Sequence, residues 1–350
     1  MTKKGAARIS KRERLRARLE AALVGRWYGS VPPPLWARLG ERLYSRIATA
    51  RRQRYAKVAG ASVRMSVPVI MVGNLTAGGT GKTPLVIWLC EWLQTRGLQP
   101  GILSGGYRGK SRQWPRRVGP DSDPVEVGDE AVLLARRTAV PVMADPRRTR
   151  AAGELERAGV DVIISDDGLQ HYRLARDVEF VVVDGARGFG NGHCLPAGPL
   201  REPPERLAEA DFVIVNGKSK IAFPTGVTMR IAPIGLCNVA QPQSCKSLDA
   251  LSGWRVHAVA GIGNPQRFFA TLTELGVDFI PHMLPDHAAL ERASLDFGDD
   301  LAVIMTEKDA VKCESWAGPN CWFVRVAAEF EPHVVGSLTA QLSALLQMKN

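Results

Sequence analysis

Residues 67–84 have the sequence VPVIMVGNLTAGGTGKTP, and the rest of the chain is best understood outward from them. The segment begins as an apolar run typical of a buried strand, passes through a glycine-rich turn and ends at a sequence suited to a helix start. Glycines let backbone N–H groups close around phosphate oxygens, and the helix N-terminus adds its dipole. The pattern therefore predicts a phosphate-binding loop with these members: Thr76, Ala77, Gly78, Gly79, Thr80, Gly81, Lys82 and Thr83.

Two side chains of this loop are expected to carry chemistry. Lys82 would reach the β- and γ-phosphates of a nucleoside triphosphate, and the hydroxyl of Thr83 would hold Mg²⁺. The strict pattern has glycine where Thr76 stands, so the loop is closer to a variant with a Gly-Gly-x-Gly-Lys-Thr core. The alternative is an ordinary glycine turn before Lys-Thr, which the surrounding strand and helix patterns disfavour.

The following part of the chain alternates between short apolar runs and helical patterns. Five apolar runs come after the loop, at 101–103, 140–143, 162–164, 180–183 and 212–215. Strands and helices that alternate in this way form a parallel sheet with helices on both faces. The predicted fold class is therefore α/β with a P-loop NTPase-like sheet, and ligands are expected at the carboxyl ends of its strands.

The alternation divides the chain into domains. We predict a P-loop core domain over 61–220, a linker over 221–253 where prolines interrupt the pattern, and a smaller second α/β domain over 254–350 that closes over the site. Six cysteines are scattered without Cys-x-x-Cys spacing. That scatter predicts neither a zinc site nor a disulfide framework and is typical of a reducing cytosol.

The positive charge of the chain is concentrated in residues 1–60. They contain 16 Lys and Arg and three Asp and Glu, a net charge of +13, whereas the remainder carries 30 against 32, a net charge of −2. Since no apolar run is long enough for a membrane span and no apolar signal core begins the sequence, we expect neither insertion nor export. Such a basic segment suits nucleic acid, an anionic membrane surface or no partner.

Apolar residues recur at helical spacing inside this basic segment. They form two stripes: Leu15, Leu19 and Leu23, and then Leu35, Trp36, Leu39, Leu43, Tyr44 and Ile47. Basic helices with Trp, Tyr and Leu on one face lie in lipid interfaces. The alternative is that both stripes pack on the protein while the arginines are solvated, and the residues alone leave both interpretations open.

Acidic residues stand at two places where a phosphate site could use them. Asp166 and Asp167 follow the apolar run at 162–164, where a neighbouring strand supplies the carboxylate that holds Mg²⁺. A turn rich in Asp and Gly is the alternative. Asp129 and Glu130 open a helix, which capping and the helix dipole explain without a catalytic role.

Two histidines are candidates for the site. His193 lies in a long Gly/Pro loop of the kind that forms a substrate mouth. His287 follows Asp286, and a carboxylate beside a histidine can tune a base, although adjacent side chains usually point apart.

Several motifs, taken in order, resemble those of the tetraacyldisaccharide 4'-kinase family. The matching segments are 73–84 (GNLTAGGTGKTP), 104–109 (SGGYRG), 127–130 (VGDE), 166–171 (DDGLQH), 190–192 (GNG), 195–202 (LPAGPLRE), 285–287 (PDH) and 306–309 (TEKD). The resemblance covers most of the chain, and its longer motifs are unusual sequences.

This resemblance implies a membrane-associated P-loop kinase. Such a kinase transfers the γ-phosphoryl group of ATP to the 4'-hydroxyl of a tetraacylated glucosamine disaccharide 1-phosphate and gives lipid IVA. The implied cofactors are ATP and Mg²⁺, and the implied location is peripheral, at the cytoplasmic face of the bacterial inner membrane. We expect the lipid A disaccharide precursor and an anionic membrane surface, contacted through the N-terminal basic helices, as partners. We expect no nucleic acid and a monomer.

The resemblance also implies roles for individual residues. Asp129 is expected to take the proton of the sugar hydroxyl, with His287 paired to it, while Lys82 contacts the phosphates. Thr83, Asp166 and Asp167 are expected to hold Mg²⁺. The remaining substrate-binding and supporting residues are Asn74, Tyr107, Glu130, His171, Arg201 and Glu202, with Tyr107 near the acceptor.

Two other classes of protein use a phosphate loop. Switch-type GTPases carry an Asn-Lys-x-Asp motif, which the nearest candidate, Asn216-Gly-Lys218, does not match. A nucleic-acid-dependent ATPase would use the basic N-terminus, but the body of the chain is near neutral. For the kinase, we expect removal of residues 1–47 to raise the KM for the lipid acceptor and to leave slow ATP hydrolysis intact.

Overall fold

The computed structural model describes residues 22–58, 60–219, 221–286 and 288–347. The chain forms two compact units. The first unit contains residues 23–231 and 328–347, and the second contains residues 232–327. Within the described ranges, no helix is both long and apolar enough to cross a bilayer.

The helices have the following bounds: Leu35–Lys57 (α1), Lys82–Thr95 (α2), Pro124–Val127 (α3), Asp129–Thr138 (α4), Arg148–Arg157 (α5), Pro265–Glu274 (α6), Glu307–Ala310 (α7) and Pro332–Gln347 (α8). The second unit contains α6 and α7, and the others belong to the first unit. The strands are Val69–Gly73 (β1), Pro100–Ser104 (β2), Arg116–Val118 (β3), Val142–Ala144 (β4), Val162–Asp166 (β5), Val178–Asp184 (β6), Phe212–Asn216 (β7), Gly226–Asn238 (β8), Cys245–Lys246 (β9), Arg255–Ala260 (β10), Asp278–Met283 (β11), Ala302–Thr306 (β12) and Cys321–Phe330 (β13).

The first unit is built on a sheet with the strand order β8-β7-β6-β1-β5-β2-β4-β3. Each pair of neighbours is parallel except β3 and β4, which are antiparallel. Strand β1 lies between β5 and β6, and the loop that follows it is therefore flanked by the carboxyl ends of two parallel strands. This position is where ligands collect on open α/β sheets.

Both faces of β1 are buried. Val69 and Met71 pack against α5, while Ile70 and Val72, which alternate with them, point to the opposite face and are also inaccessible to solvent. Helices α2 and α5 both contact the sheet, and α2 also packs against α4. The predicted α/β fold class with a covered parallel sheet is confirmed.

The second unit has its own core and its own group of parallel strands. Strands β11, β10, β12 and β13 are neighbours in that order and run parallel. Helix α6 packs on β10 and β11, and Phe268, Phe269 and Leu272 of this helix lie in the core. The unit is therefore a smaller α/β structure, as the alternation predicted.

The segment 221–253, which we predicted to be a linker, contains regular secondary structure. This segment contains the 13-residue strand β8, the short strand β9 and a 3-10 turn at Leu248–Leu251. The first residues of β8 pair with β7. Pro233, one of the prolines on which that prediction rested, stands inside β8. The chain passes from the first unit to the second within β8 and returns within β13, so α8 belongs to the first unit.

The spacing of the cysteines also failed to predict a disulfide bond. Cys237 and Cys245 form a disulfide, with their Cα atoms 4.0 Å apart. They are partners in the antiparallel register of β8 and β9. The register places them opposite each other, and the sequence separation alone does not carry that information. The four other cysteines are free and buried.

Candidate functional site

The loop after β1 has the backbone that a phosphate cradle requires. Gly78 and Gly81 adopt positive φ angles of 105° and 98°. A Cβ at position 81 would lie 2.4 Å from Nδ2 of Asn216, which itself donates to the carbonyl oxygen of Thr80 at 2.8 Å. Asn74 donates from inside the loop to the carbonyl oxygens of Thr76 and Gly78 at 2.8 and 3.2 Å. Conformation and packing both explain why residue 81 is glycine.

Lys82 and Thr83 begin α2, as predicted. Nζ of Lys82 lies 3.3 Å from Oδ1 of Asn74 and 3.4 Å from Oδ1 of Asp167. The lysine side chain is only 10% exposed, so the ammonium group is held over the loop rather than in solvent. Its contact with Asp167 joins the ends of β1 and β5.

The two aspartates at the end of β5 have different environments. Asp166 is buried, and burial raises its pKa, an effect to which the carboxylate of Glu130 adds. Burial would also raise the pKa of Asp167, but Lys82 and Arg201 outweigh that effect and lower it. Asp167 adopts a positive φ of 48°, a conformation that non-glycine residues seldom adopt. Asp167 is therefore ionised near pH 7, whereas Asp166 needs a nearby cation to ionise fully.

Arg148 is part of this site, and the sequence analysis missed it. Its guanidinium donates from Nη1 to the carbonyl oxygen of Asp166 at 2.6 Å and from Nη2 to that of Asp167 at 2.9 Å. It also donates to Oγ of Ser165 at 3.1 Å. These bonds hold the strained turn in place. The sequence feature that could have revealed Arg148 is a run of arginines at the N-terminus of α5, where the helix dipole disfavours cations.

Arg201 connects the phosphate loop to the aspartates. Its Nη1 donates to the two carboxylate oxygens of Asp167 at 3.1 and 3.3 Å, and its backbone N–H donates to the carbonyl oxygen of Leu75 at 2.6 Å. Ala77 donates to the carbonyl oxygen of Pro199 at 2.7 Å. Residues 199–201 therefore run beside the phosphate loop and support it.

Glu202 is a buried carboxylate next to this support. It accepts hydrogen bonds from Nε2 of Gln170 at 3.0 Å and from the hydroxyl of Tyr172. The same Nε2 lies 3.2 Å from the carbonyl oxygen of Asn74, to which it donates. Glu202 thus supports the loop through Gln170 and is buried away from solvent.

Asp129 and Glu130 are the first residues of α4. Asp129 is buried, and Gly128 before it has a φ of 92° and lies so close to Tyr107 that a Cβ would be 2.8 Å from the tyrosine carbonyl oxygen. The Tyr107 side chain is exposed. Since Glu130 contributes to the raised pKa of Asp166, the start of α4 faces the end of β5.

The histidines have different surroundings. Burial, together with the charges of Arg148 and Arg51, lowers the pKa of His171 to about 4, so its imidazole is neutral near pH 7. His193 does not stand free in a mouth, because its Nδ1 lies 2.9 Å from a carboxylate oxygen of Glu41 on α1. His287 lies outside the described residues.

The donor set of the loop fits Mg²⁺. Within the described residues, no three His, Cys, Asp or Glu side chains converge on one point as a metal site. Magnesium in a nucleotide site does not need such a cage, since it binds one or two protein oxygens, phosphates and waters. Oδ1 of Asp166 is buried and has no hydrogen-bond partner in the described part of the chain, as expected for an oxygen that faces a cation.

Comparison with known proteins gives consistent results. A family described as Tetraacyldisaccharide-1-P 4'-kinase matches residues 36–345. A Tetraacyldisaccharide 4'-kinase from Alkalilimnicola ehrlichii is 51% identical, covering 91% of this chain and 96% of that protein. One from Pseudomonas putida is 47% identical, covering 93% and 98%.

A solved structure is also similar. The crystal structure of "apo" form LpxK from Aquifex aeolicus in complex with ATP is 27% identical in sequence, with a TM-score of 0.72. The match covers 87% of this chain and 97% of that one. The resemblance seen in the motifs therefore extends to the fold and to nearly the whole length of the relatives.

Proposed function

The chain belongs to the tetraacyldisaccharide-1-P 4'-kinase family, and from that premise we propose how its residues carry the reaction. The protein is an ATP-dependent kinase that phosphorylates the 4'-hydroxyl of tetraacyldisaccharide 1-phosphate in lipid A biosynthesis, giving lipid IVA. The observation that supports the site assignment best is the contact of Lys82 with Asn74 and Asp167 over the glycine loop.

The phosphate loop positions ATP. Phosphoryl transfer depends on neutralising charge and on aligning the attacking and leaving oxygens, with little covalent work for the protein. The loop N–H groups and Lys82 contact the phosphates, and Arg201 keeps Asp167 against the lysine. Arg148 keeps the turn at Asp166 and Asp167 from relaxing.

Thr83, Asp166 and Asp167 would hold Mg²⁺. The buried Oδ1 of Asp166 supports this assignment. A bound Mg²⁺ supplies a positive charge that neutralises the phosphate oxygens. It would also favour the ionised form of Asp166, whose pKa burial raises.

Asp129 is the general base in this proposal. The proton of the 4'-hydroxyl moves to its carboxylate as the sugar oxygen bonds to the γ-phosphorus. The bond from the γ-phosphorus to the bridging oxygen breaks, and ADP leaves. The position of Asp129 at the start of α4, beside Glu130 and the Tyr107 loop, supports its assignment as the base. We give His287 the assisting role that its motif implies.

Transfer of ³²P from γ-labelled ATP to tetraacyldisaccharide 1-phosphate in detergent micelles tests the base. We expect Asp129→Ala and Asp129→Asn to lower kcat by about 10²- to 10⁴-fold, the usual worth of a general base. Asp121→Ala changes an exposed aspartate in the preceding loop and serves as the matched control, with unchanged transfer. A folded Asp129→Asn protein that keeps wild-type kcat would remove Asp129 from this role.

The surface of α1 supports a membrane-bound enzyme. Its side chains Leu35, Trp36, Leu39, Leu43 and Ile47 are 60–77% exposed and form a stripe on one face, which we call the exposed stripe. The exposed arginines Arg38, Arg42 and Arg46 run alongside it. Apolar and basic residues arranged in this way suit an anionic bilayer surface.

We place the exposed stripe at the cytoplasmic face of the inner membrane. The acyl chains of the acceptor would stay in the bilayer while its sugar reaches the site. The near-neutral body of the chain favours lipid over nucleic acid as the partner of the basic segment. We propose that the enzyme acts as a monomer, which light scattering of the purified protein would test. Leu15 and Leu19 of the first predicted stripe lie outside the described residues.

A further inference from the structure

The face of α1 opposite the exposed stripe packs on the loop at 193–198. The Glu41 carboxylate accepts a hydrogen bond from the backbone N–H of Cys194 at 2.7 Å and contacts Nδ1 of His193 at 2.9 Å. A Cβ at Gly40 would lie 3.1 Å from Cγ of Pro196, so helix and loop approach closely. Helix α1 is thus joined to the loop that leads into Arg201.

Tyr44 makes the contact nearest to the phosphate site. Its hydroxyl donates to the carbonyl oxygen of Arg201 at 3.0 Å. Its ring packs on the cluster that contains Leu75, Leu169 and Leu200. Leu75 belongs to the loop after β1, and Leu169 follows Asp166 and Asp167 at the end of β5. One side chain of α1 therefore touches the segments that carry the nucleotide-binding residues.

Arg201 links the Tyr44 contact to the phosphate site. Its backbone N–H donates to the carbonyl oxygen of Leu75, and its guanidinium donates to Asp167. Asp167 in turn lies 3.4 Å from Nζ of Lys82. The Tyr44 hydroxyl thus fixes the backbone of Arg201. Arg201 in turn holds Asp167, the carboxylate that contacts Lys82.

We propose that Tyr44 is a positioning residue for phosphoryl transfer, acting through Arg201 on Asp167 and Lys82. The inference rests on the roles proposed above for Lys82 and Arg201. Without the hydroxyl, the Arg201 carbonyl loses this donor, and the backbone of Arg201 is held less firmly. The carboxylate of Asp167 then no longer fixes the ammonium group of Lys82 where negative charge develops on the phosphoryl group. Because the opposite face of α1 is the proposed bilayer surface, this one helix also connects the membrane to the nucleotide site.

Tyr44→Phe removes the hydroxyl and keeps the ring. We expect kcat in detergent micelles to fall about fivefold, the worth of one hydrogen bond, while the KM for the lipid acceptor stays within about twofold. Tyr55→Phe is the matched control on the same helix. The Tyr55 ring stacks on Tyr172, and within the described residues its hydroxyl makes no hydrogen bond. We expect this control to keep wild-type kcat.

A double-mutant cycle separates positioning from general structural support. If Tyr44 acts through Arg201, Tyr44→Phe lowers kcat in the wild-type background and has little further effect in an Arg201→Ala background. Additive losses, or a Tyr44→Phe protein with wild-type kcat, overturn the inference and leave the proposed role of Arg201 in place. If Arg201→Ala itself keeps wild-type kcat, the proposed role of Arg201 fails, and the inference fails with it.

Discussion

At the scale of single residues, the site depends on buried charges that hold backbone turns. The guanidinium of Arg148 donates to carbonyl oxygens at the end of β5, and the positive φ of Asp167 is maintained by these bonds. Elsewhere in the first unit, Arg206 and Glu179 form a buried ion pair, with Nη2 and Oε1 2.7 Å apart. Removal of one member of such a pair leaves an uncompensated buried charge, so each is costly to replace singly.

His171 makes stability depend on pH. Its pKa is about 4 in the folded protein against an ordinary value of 6.5, so between these values the unfolded chain binds a proton that the native protein does not. The free energy of unfolding therefore falls as pH drops through this window. Because the ring is partly exposed, we expect a loss of about 1–2 kcal/mol rather than the full shift.

Urea unfolding at about pH 7, 6 and 5 measures this effect. His171→Gln removes the titrating ring, and its free energy of unfolding should fall less steeply with acid than that of the wild type. His333→Gln replaces an exposed histidine on α8 and serves as the control, with wild-type slope. Parallel curves for wild type and His171→Gln would contradict the prediction.

At the scale of elements, α1 has two faces with different partners. Ala37 is buried and Tyr44 contacts the site, while the exposed stripe points to solvent. The alternative interpretation, in which the second stripe packs on the protein, applies to Tyr44 but not to the other residues of that stripe. Because Glu41 and Tyr44 hold the loop at 193–201, removing residues 1–47 would disturb the nucleotide site as well. Substitutions in the exposed stripe therefore replace that deletion as the test of membrane binding.

Leu39→Ser with Leu43→Ser should weaken binding to anionic phosphatidylglycerol vesicles. The two side chains are 64% and 63% exposed, and full burial of each in lipid would contribute about 1.5–3 kcal/mol. With partial insertion we expect about a tenfold loss of affinity by cosedimentation. The kcat in micelles should remain unchanged. Ile234→Ser, at a half-exposed position of β8, is the control and should bind as the wild type. Equal vesicle affinity of the double variant would exclude the exposed stripe as the lipid contact.

At the scale of the whole molecule, the first unit gathers the nucleotide-binding residues from several parallel strands. The loop after β1, the aspartates after β5 and Asn216 at the end of β7 all stand at carboxyl ends of the sheet. Residues 199–201 then run beside the loop. A ligand that bridges these segments binds the folded state and not the unfolded chain, so it stabilises folding.

ATP with Mg²⁺ should therefore raise Tm. At about 100 times Kd the stabilisation is about 2.7 kcal/mol, which corresponds to a rise of several degrees. Lys82→Met should lose most of this rise, and EDTA should reduce it in the wild type. Lys57→Met, at an exposed position near the end of α1, is the control. An undiminished rise in Lys82→Met would show that the lysine does not contact the phosphates.

The candidate site was predictable where its residues are neighbours in sequence. The glycine loop, Lys82 and Thr83 follow a strand and begin a helix, so local patterns reveal both their structure and their chemistry. Asp166 and Asp167 were found because they end an apolar run. Arg148 was missed because its four acceptors lie 17 to 45 positions away along the chain.

Periodicity and residue chemistry determine the fold class, the phosphate loop and the family of this protein, because those properties arise within short segments whose spacing is visible along the chain. Only the tertiary structure decided that β5 lies beside β1, that Cys237 faces Cys245, and that Tyr44 reaches Arg201 across 157 positions. Strand order and register bring distant residues together, and packing of the whole sheet sets them. For that reason the loop could be predicted from its own residues, whereas its support by α1 could not.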